Sequence, residues 1–258
     1  MFELPNSFEN SGNEFIEVFN RNSRLIPWFP AILIGKEYQT ALYILTQINP
    51  KYIVSNNSGI GYEAYRQGIP WVAGPYMNTV NSFSLLSLKE NFGCTGSFIS
   101  NEINKNQIKR IKKPDNFRLF YSIYHPIVLM TSKACFFHQV TGCKKYIVDN
   151  ACIQRCEKSS FITNLKGVSF FINKQKGRYH DIHNENNFLN TDITRDIPNL
   201  FDSLFLDLRD VKSDTKVTAD KRAIIKMFEN HLNDELESSK TIHQHISPTT
   251  DTQYIKGI

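Results

Sequence analysis

Along the first half of the chain, short apolar runs alternate with longer stretches whose apolar residues recur at helical spacing. Pro30 to Ile34 reads as a strand ended by Gly35, and Glu37 to Ile48 follows with Ala41, Leu42, Ile44, Leu45 and Ile48 near one helical stripe. Tyr52 to Ser55 is the next expected strand and Gly59 to Arg66 a short helix. Gly68-Ile69-Pro70 then turns the chain into a strand at Trp71 to Gly74. Asn81 to Glu90 offers Phe83, Leu85, Leu86 and Leu88 to a helix closed by Asn91-Phe92-Gly93. After Phe98-Ile99, a Ser100-Asn101-Glu102 start precedes a basic helix, Lys105 to Lys113, halted by Pro114. Arg118 to Tyr124 is a strand rich in aromatic residues. Strands alternating with helices at this pitch predict a parallel sheet with helical crossovers, which a barrel or an open doubly wound sheet would satisfy.

The pattern breaks at His125. From there to Cys156 the chain reads as irregular, polar and rich in cysteine, and beyond it Val168 to Ile172 and Tyr179 to Ile182 are expected to pair across a Lys174 to Arg178 turn. This stretch reads as an inserted cap. Leu204 to Leu208 resumes the strand pattern, and Lys221 to Leu236 carries Ile224, Ile225, Phe228, Leu232 and Leu236 along one stripe of a closing helix. The polar tail is expected to be disordered. The division is therefore 24–125 for the β/α repeats, 126–200 for the cap, 201–238 for the closing strand and helix, and 239–258 for the tail. About five or six strands outside the cap fall short of the eight of a closed barrel. The expected fold is an α/β, (β/α) barrel-like chain, a partial TIM-type barrel completed by an N-terminal half or by a partner chain.

The 258 residues are 41% hydrophobic and 21% charged, which excludes a disordered or fibrous chain. No apolar run approaches the roughly 18 to 20 residues of a membrane span, and Met1 to Asn22 lacks the pattern of a secretory signal. A soluble cytoplasmic protein is the expectation. The charge of +5 is too small to declare nucleic-acid binding.

Four of the 5 cysteines, Cys135, Cys143, Cys152 and Cys156, fall in one short segment. Without a secretory signal, crowded thiols favour metal or redox chemistry over a disulfide framework. Four thiolates supply the whole inner shell of a zinc ion or an iron-sulfur cluster. Cys152 and Cys156 would share a face of a helix, Gly142 allows the backbone to turn, and Lys144, Lys145, Arg155 and Lys158 favour the thiolate form. The spacing matches neither a zinc ribbon nor a bacterial ferredoxin, so it does not identify the metal. Unrelated buried thiols are the plain alternative, and Cys94 beside Gly93 reads as one. His138, His180 and His183 are alternative ligands, although each alone reads more simply as a core or surface histidine.

Other candidates carry less. Gly74 to Asn81 follows a strand and precedes a helix, where α/β proteins collect ligand-binding residues. Asn78 and Asn81 there would hydrogen-bond a substrate, with Asn81 equally suited to cap the helix. Asn56 to Gly61 has glycines after a strand but lacks both dinucleotide and phosphate-loop patterns. Tyr121, Tyr124 and His125 sit where a strand end would line a pocket. Lys105 to Lys113 with Lys174, Lys176 and Arg178 would track phosphates, or simply form solvated faces.

The segment from Trp71 through Asn190 resembles the C-terminal half of the collagenase-like peptidases, unclassified peptidase family thirty-two. The resemblance lies in an Asn-x-x-Asn stretch after a strand (Asn78, Asn81) and a tyrosine-bearing strand (Phe120 to His125). It continues in a Met-x-x-x-x-Cys approach to the cysteines (Met130 to Cys135) and a Leu-Lys-Gly step before apolar residues (Leu165 to Gly167). It covers about half the chain and implies a (β/α) barrel. Despite the name, better understood relatives support oxygen-independent hydroxylation of a transfer RNA uridine, a ribosomal RNA cytidine or a ubiquinone precursor. Some of them hold a four-iron four-sulfur cluster. Carried over by position, Cys135, Cys143, Cys152 and Cys156 would be the ligands. A later family cysteine is absent here, and His180 and His183 fall near its place. Three functions follow as expectations: an iron-sulfur hydroxylation protein acting on RNA or a small aromatic substrate, with Asn78, Asn81, Tyr124 and His125 in the substrate pocket; a collagenase-like protease with a Cys-His pair; or a zinc-stabilised module that binds RNA or protein.

Overall fold

A computed structural model describes the chain except residues 6, 7, 9, 10, 141, 146, 148, 150, 151, 153–155, 157, 175–178, 234 and 258, and except the side chains of 139, 140 and 235–237. The protein is mixed α/β with a mostly parallel central sheet, and it divides into two compact units.

The first unit comprises Met1–Tyr121 and Phe201–Ser203. Its elements are β1 (Phe2–Glu3), α1 (Gly12–Arg21), β2 (Pro27–Phe29), α2 (Lys36–Gln47), β3 (Ile53–Ser55), α3 (Ser58–Arg66), β4 (Trp71–Ala73), α4 (Ser82–Phe92), β5 (Gly96–Phe98), α5 (Lys105–Lys109) and the first half of β6 (Arg118–His125). The strands pair in their order along the chain, each parallel to the next. Every residue of β2 to β5 is buried. Strands covered on both faces need continuous apolar runs rather than alternation, which is why Ile53-Val54 and Trp71-Val72-Ala73 are legible as strands. Trp28, Phe98 and Phe120 form an aromatic column, with centroids 5.4 Å and 5.1 Å apart.

Local chemistry fixes the crossovers. Asn57 caps α3 by accepting from the Ile60 amide at 3.1 Å, while its own amide donates to Ala31 O at 3.0 Å. Asn81 and Ser84 form a capping box on α4, which ends at Gly93 in the left-handed region at φ 55°.

The expected helices appear within a few residues of their predicted bounds, but α5 is shorter than predicted. The first expected strand is displaced: the chain pairs through Pro27–Phe29, and the run at 30–34 ends on Ile34, 57% exposed. Polarity hid β1 and α1. The helix places Phe15 and Phe19 against Phe2, at 6.1 Å and 5.7 Å.

The second unit comprises Ser122–Leu200 and Leu204–Gly257. After the rest of β6 come β7 (Val128–Ser132), α6 (Phe136–Val140), β8 (Ser159–Thr163), β9 (Ser169–Lys174), β10 (His180–His183), β11 (Asn187–Leu189), α7 (Ile193–Asp196) and β12 (Ser203–Leu206). Then follow β13 (Lys216–Val217), α8 (Lys221–Asn233), α9 (Glu235–His245), β14 (Ile246–Ser247), β15 (Thr249–Thr250) and α10 (Thr252–Lys256). The predicted hairpin is present as antiparallel β9 and β10, within a four-stranded sheet of order β7-β10-β9-β8. Its turn lies outside the described residues. So the segment from 126 on is more regular than expected. β11 lies antiparallel to β6 and parallel to β15, so the central sheet is not purely parallel.

The expectation of a disordered tail over 239–258 is corrected. Residues up to 257 continue α9 and form β14, β15 and α10, because Ile242, Ile246 and Tyr254 are buried and Tyr254 donates to Asp196 at 3.0 Å. Among the described residues no helix is long and apolar enough to cross a membrane.

Candidate thiol centre and strand-end residues

Cys135 follows β7 and Cys156 precedes β8, so the antiparallel sheet anchors both ends of the cysteine segment. All four thiols are half-buried and free, whereas Cys94 is buried. Burial pushes the Cys94 thiol up to about 12, and its Sγ donates to Gly96 O at 3.0 Å, the behaviour of an inert core thiol.

The other four are tied to lysines. Lys158 Nζ donates to Cys143 Sγ at 3.3 Å, and the same ammonium interacts electrostatically with Cys156 and Cys135. The backbone N–H of Lys145 and the Lys158 ammonium together hold Cys143 below its ordinary value. Cys152 is placed by Asp149: its amide donates to Asp149 Oδ1 at 2.8 Å, and Lys145 Nζ donates to both carboxylate oxygens at 3.1 and 3.0 Å. That amide, followed by Lys145, draws Asp149 down to about 2. Asp149 first, and then the hydrogen bond to the Cys152 thiol, raises the Lys145 ammonium.

Lys158 thus bonds Cys143 and Lys145 bonds Cys152, while Cys156 and Cys135 feel the Lys158 charge without a hydrogen bond to it. Thiols beside ammonium groups are the donor type of a thiolate-held centre, and Lys158 touches one of them, Cys143. The four sulfurs are not gathered into a shell: among the described residues, which include all four cysteines, no three His, Cys, Asp or Glu side chains could hold a metal ion. Arg155 and the other residues between Cys152 and Cys156, on which the expected shared helix face depends, lie outside the described residues.

Asn78 and Asn81 fall in the first unit, on the connection from β4 to α4. Asn78 takes a left-handed backbone at φ 53°, and Asn81 Oδ1 is used by the Ser84 amide at 2.9 Å, so capping accounts for that oxygen. Tyr124 and His125 fall in the second unit. As successive strand residues they take opposite faces. Tyr124 Oη accepts from Asn187 Nδ2 at 2.9 Å, whereas the His125 ring stacks on Phe188 at 5.0 Å. Burial raises Tyr124 against the Asn187 bond. It also lowers His125, whose Nδ1 donates to Pro126 O at 3.0 Å, and the buried Nε2 is without a partner.

Comparison with protein-family models, curated proteins and solved structures finds no match. The site must be read from its own geometry.

That geometry adds residues the sequence did not single out. Asp207, at the end of β12, donates its amide to Tyr124 O at 2.8 Å and receives Arg209 Nε at 2.9 and 3.0 Å. Both charges act on His125 and His183. His183 and His180 are each 4% exposed, with both ring nitrogens unpartnered. His180 packs edge-on against Phe137, centroids 5.4 Å apart, next to the cysteine segment. An Asp-x-Arg step directly after a strand was the available signal for the Asp207–Arg209 pair. His138 is exposed.

Proposed function

We propose that this chain is a cytoplasmic iron-sulfur protein resembling peptidase family thirty-two, supporting oxygen-independent hydroxylation of an RNA base or a small aromatic compound. Cys135, Cys143, Cys152 and Cys156 would hold a four-iron four-sulfur cluster. The observation that carries the reading is the pairing of thiols with ammonium groups: Lys158 donates to Cys143, which is held below its ordinary value, and Lys145 interacts with Cys152. Lys158 places a positive charge beside the thiols, and Lys145, held by its ion pair with Asp149, adds a hydrogen bond to Cys152. When bound, such a cluster supplies one-electron transfer at a potential set by burial and hydrogen bonds to sulfur. The unreversed order of β1 to β6 supports the partial-barrel reading, since a doubly wound sheet reverses direction. Tyr124 and His125, at the carboxyl end of β6, are where such a fold would meet substrate.

Anaerobic purification followed by iron, sulfide and zinc quantification tests this. The wild type is expected to carry about four iron and four sulfide per chain, and Cys152→Ala to lose most of both. Zinc without iron would replace the cluster by a structural zinc site. Unchanged metal content in Cys152→Ala would remove that residue from the ligand set.

A further inference from the structure

At the carboxyl ends of β4 and β5, the first unit opens a cavity of about 490 Å³ lined by Val80, Asn81, Glu102, Ile103, Gln107 and Arg110. The connections following two adjacent parallel strands are where an α/β sheet gathers ligand-binding groups. The lining divides by chemistry. Val80 and the largely buried Ile103 are apolar. Asn81 and Gln107 each spend the side-chain oxygen on a helix cap, accepting from Ser84 N at 2.9 Å and Asn104 N at 2.9 Å. The amide nitrogen of each is left without a partner among the described residues. Glu102 and Arg110 line the same cavity, and among the described residues neither forms an ion pair.

An unpaired carboxylate and an unpaired guanidinium in one cavity, with two amide donors and an apolar wall, match a molecule that carries both charges and an apolar side chain. We infer that this cavity binds a free α-amino acid with an aliphatic side chain, its carboxylate on Arg110 and its ammonium on Glu102. The amides of Asn81 and Gln107 donate to the same carboxylate, and the side chain lies on Val80 and Ile103. Arginine suits the task because its planar fork matches a carboxylate bidentately. The exposed Lys109 and Lys112 beside Arg110 add a positive field on that side. The site is independent of the cysteine segment, so metal content and amino-acid binding stand or fall separately.

Calorimetric titration of the full chain with L-leucine, N-acetyl-L-leucine and L-leucinamide tests the assignment. Leucine is expected to bind saturably. Each capped derivative loses one ionic partner and should bind about tenfold more weakly or worse, as for a lost hydrogen bond to a charged group. Arg110→Gln and Glu102→Gln, both at exposed positions, should lose a similar factor for leucine with an unchanged circular dichroism spectrum. Absence of saturable leucine binding would overturn the proposal. So would equal affinity for N-acetyl-L-leucine, or leucine affinity unaffected by both substitutions.

Discussion

Lowering the pH from 7 to 5 is expected to cost the protein about 2 kcal/mol of stability through His183 alone, and about 3 kcal/mol by pH 4. The imidazole is 4% exposed on β10, with neither ring nitrogen hydrogen-bonded. Burial, then the Arg209 guanidinium, lowers it from 6.5 to about 4, with Asp207 opposing. The Asp181 carboxylate is 4.0 Å away, too far to share a proton. Because the folded value lies below the unfolded one, the neutral ring's contribution is complete above 6.5 and is lost as the pH falls toward 4. Urea unfolding of wild type and His183→Asn at pH 7 and pH 5 isolates the effect. The drop between the two pH values should be about 2 kcal/mol smaller in the variant. Equal drops would mean that the ring is already solvated in the folded state. His180 and His125 are lowered by burial too, so acid should loosen the second unit at several points.

How much of this was legible in the sequence depends on what each element buries. The parallel strands were visible because burial on both faces forces continuous apolar runs, and α4 because Asn81 and Gly93 punctuate it, whereas the Asn57 cap of α3 shows only in the structure. The run at 30–34 misled because apolarity alone does not say which residues pair, and the ladder with β1 starts at Pro27 instead. Two-residue strands such as β1, β14 and β15 carry no periodicity, and their burial comes from single residues like Ile246 set in polar sequence. The cysteines were legible as residue types. That Lys158 bonds Cys143, and that Asp207 and Arg209 act on both His125 and His183, depends on tertiary pairings that no local pattern encodes.

Trp71→Ala is expected to be among the most damaging single changes, costing about 3 to 5 kcal/mol. The ring is 1% exposed, and its indole N–H donates to Phe92 O at 2.8 Å, so truncation opens a large void and orphans a carbonyl. Its fit is tied to Gly61 on α3: a Cβ there would stand 2.7 Å from Trp71 Cζ3 and 2.8 Å from Cη2. The indole cannot slide aside freely, since Trp71 is held in register with Ile53 and its carbonyl accepts from Thr95 N at 2.9 Å. Gly61→Ala alone should therefore destabilise by about 1 to 3 kcal/mol. With Trp71→Leu already present the ring is gone, and the same alanine should become neutral or stabilising by up to about 1 kcal/mol, because alanine is the better helix former. Urea unfolding of the two single variants and the double variant closes the cycle, and a coupling of at least about 1 kcal/mol is expected. Strict additivity would show that the indole does not fill the space above Gly61, and the packing of α3 on β4 would need another explanation.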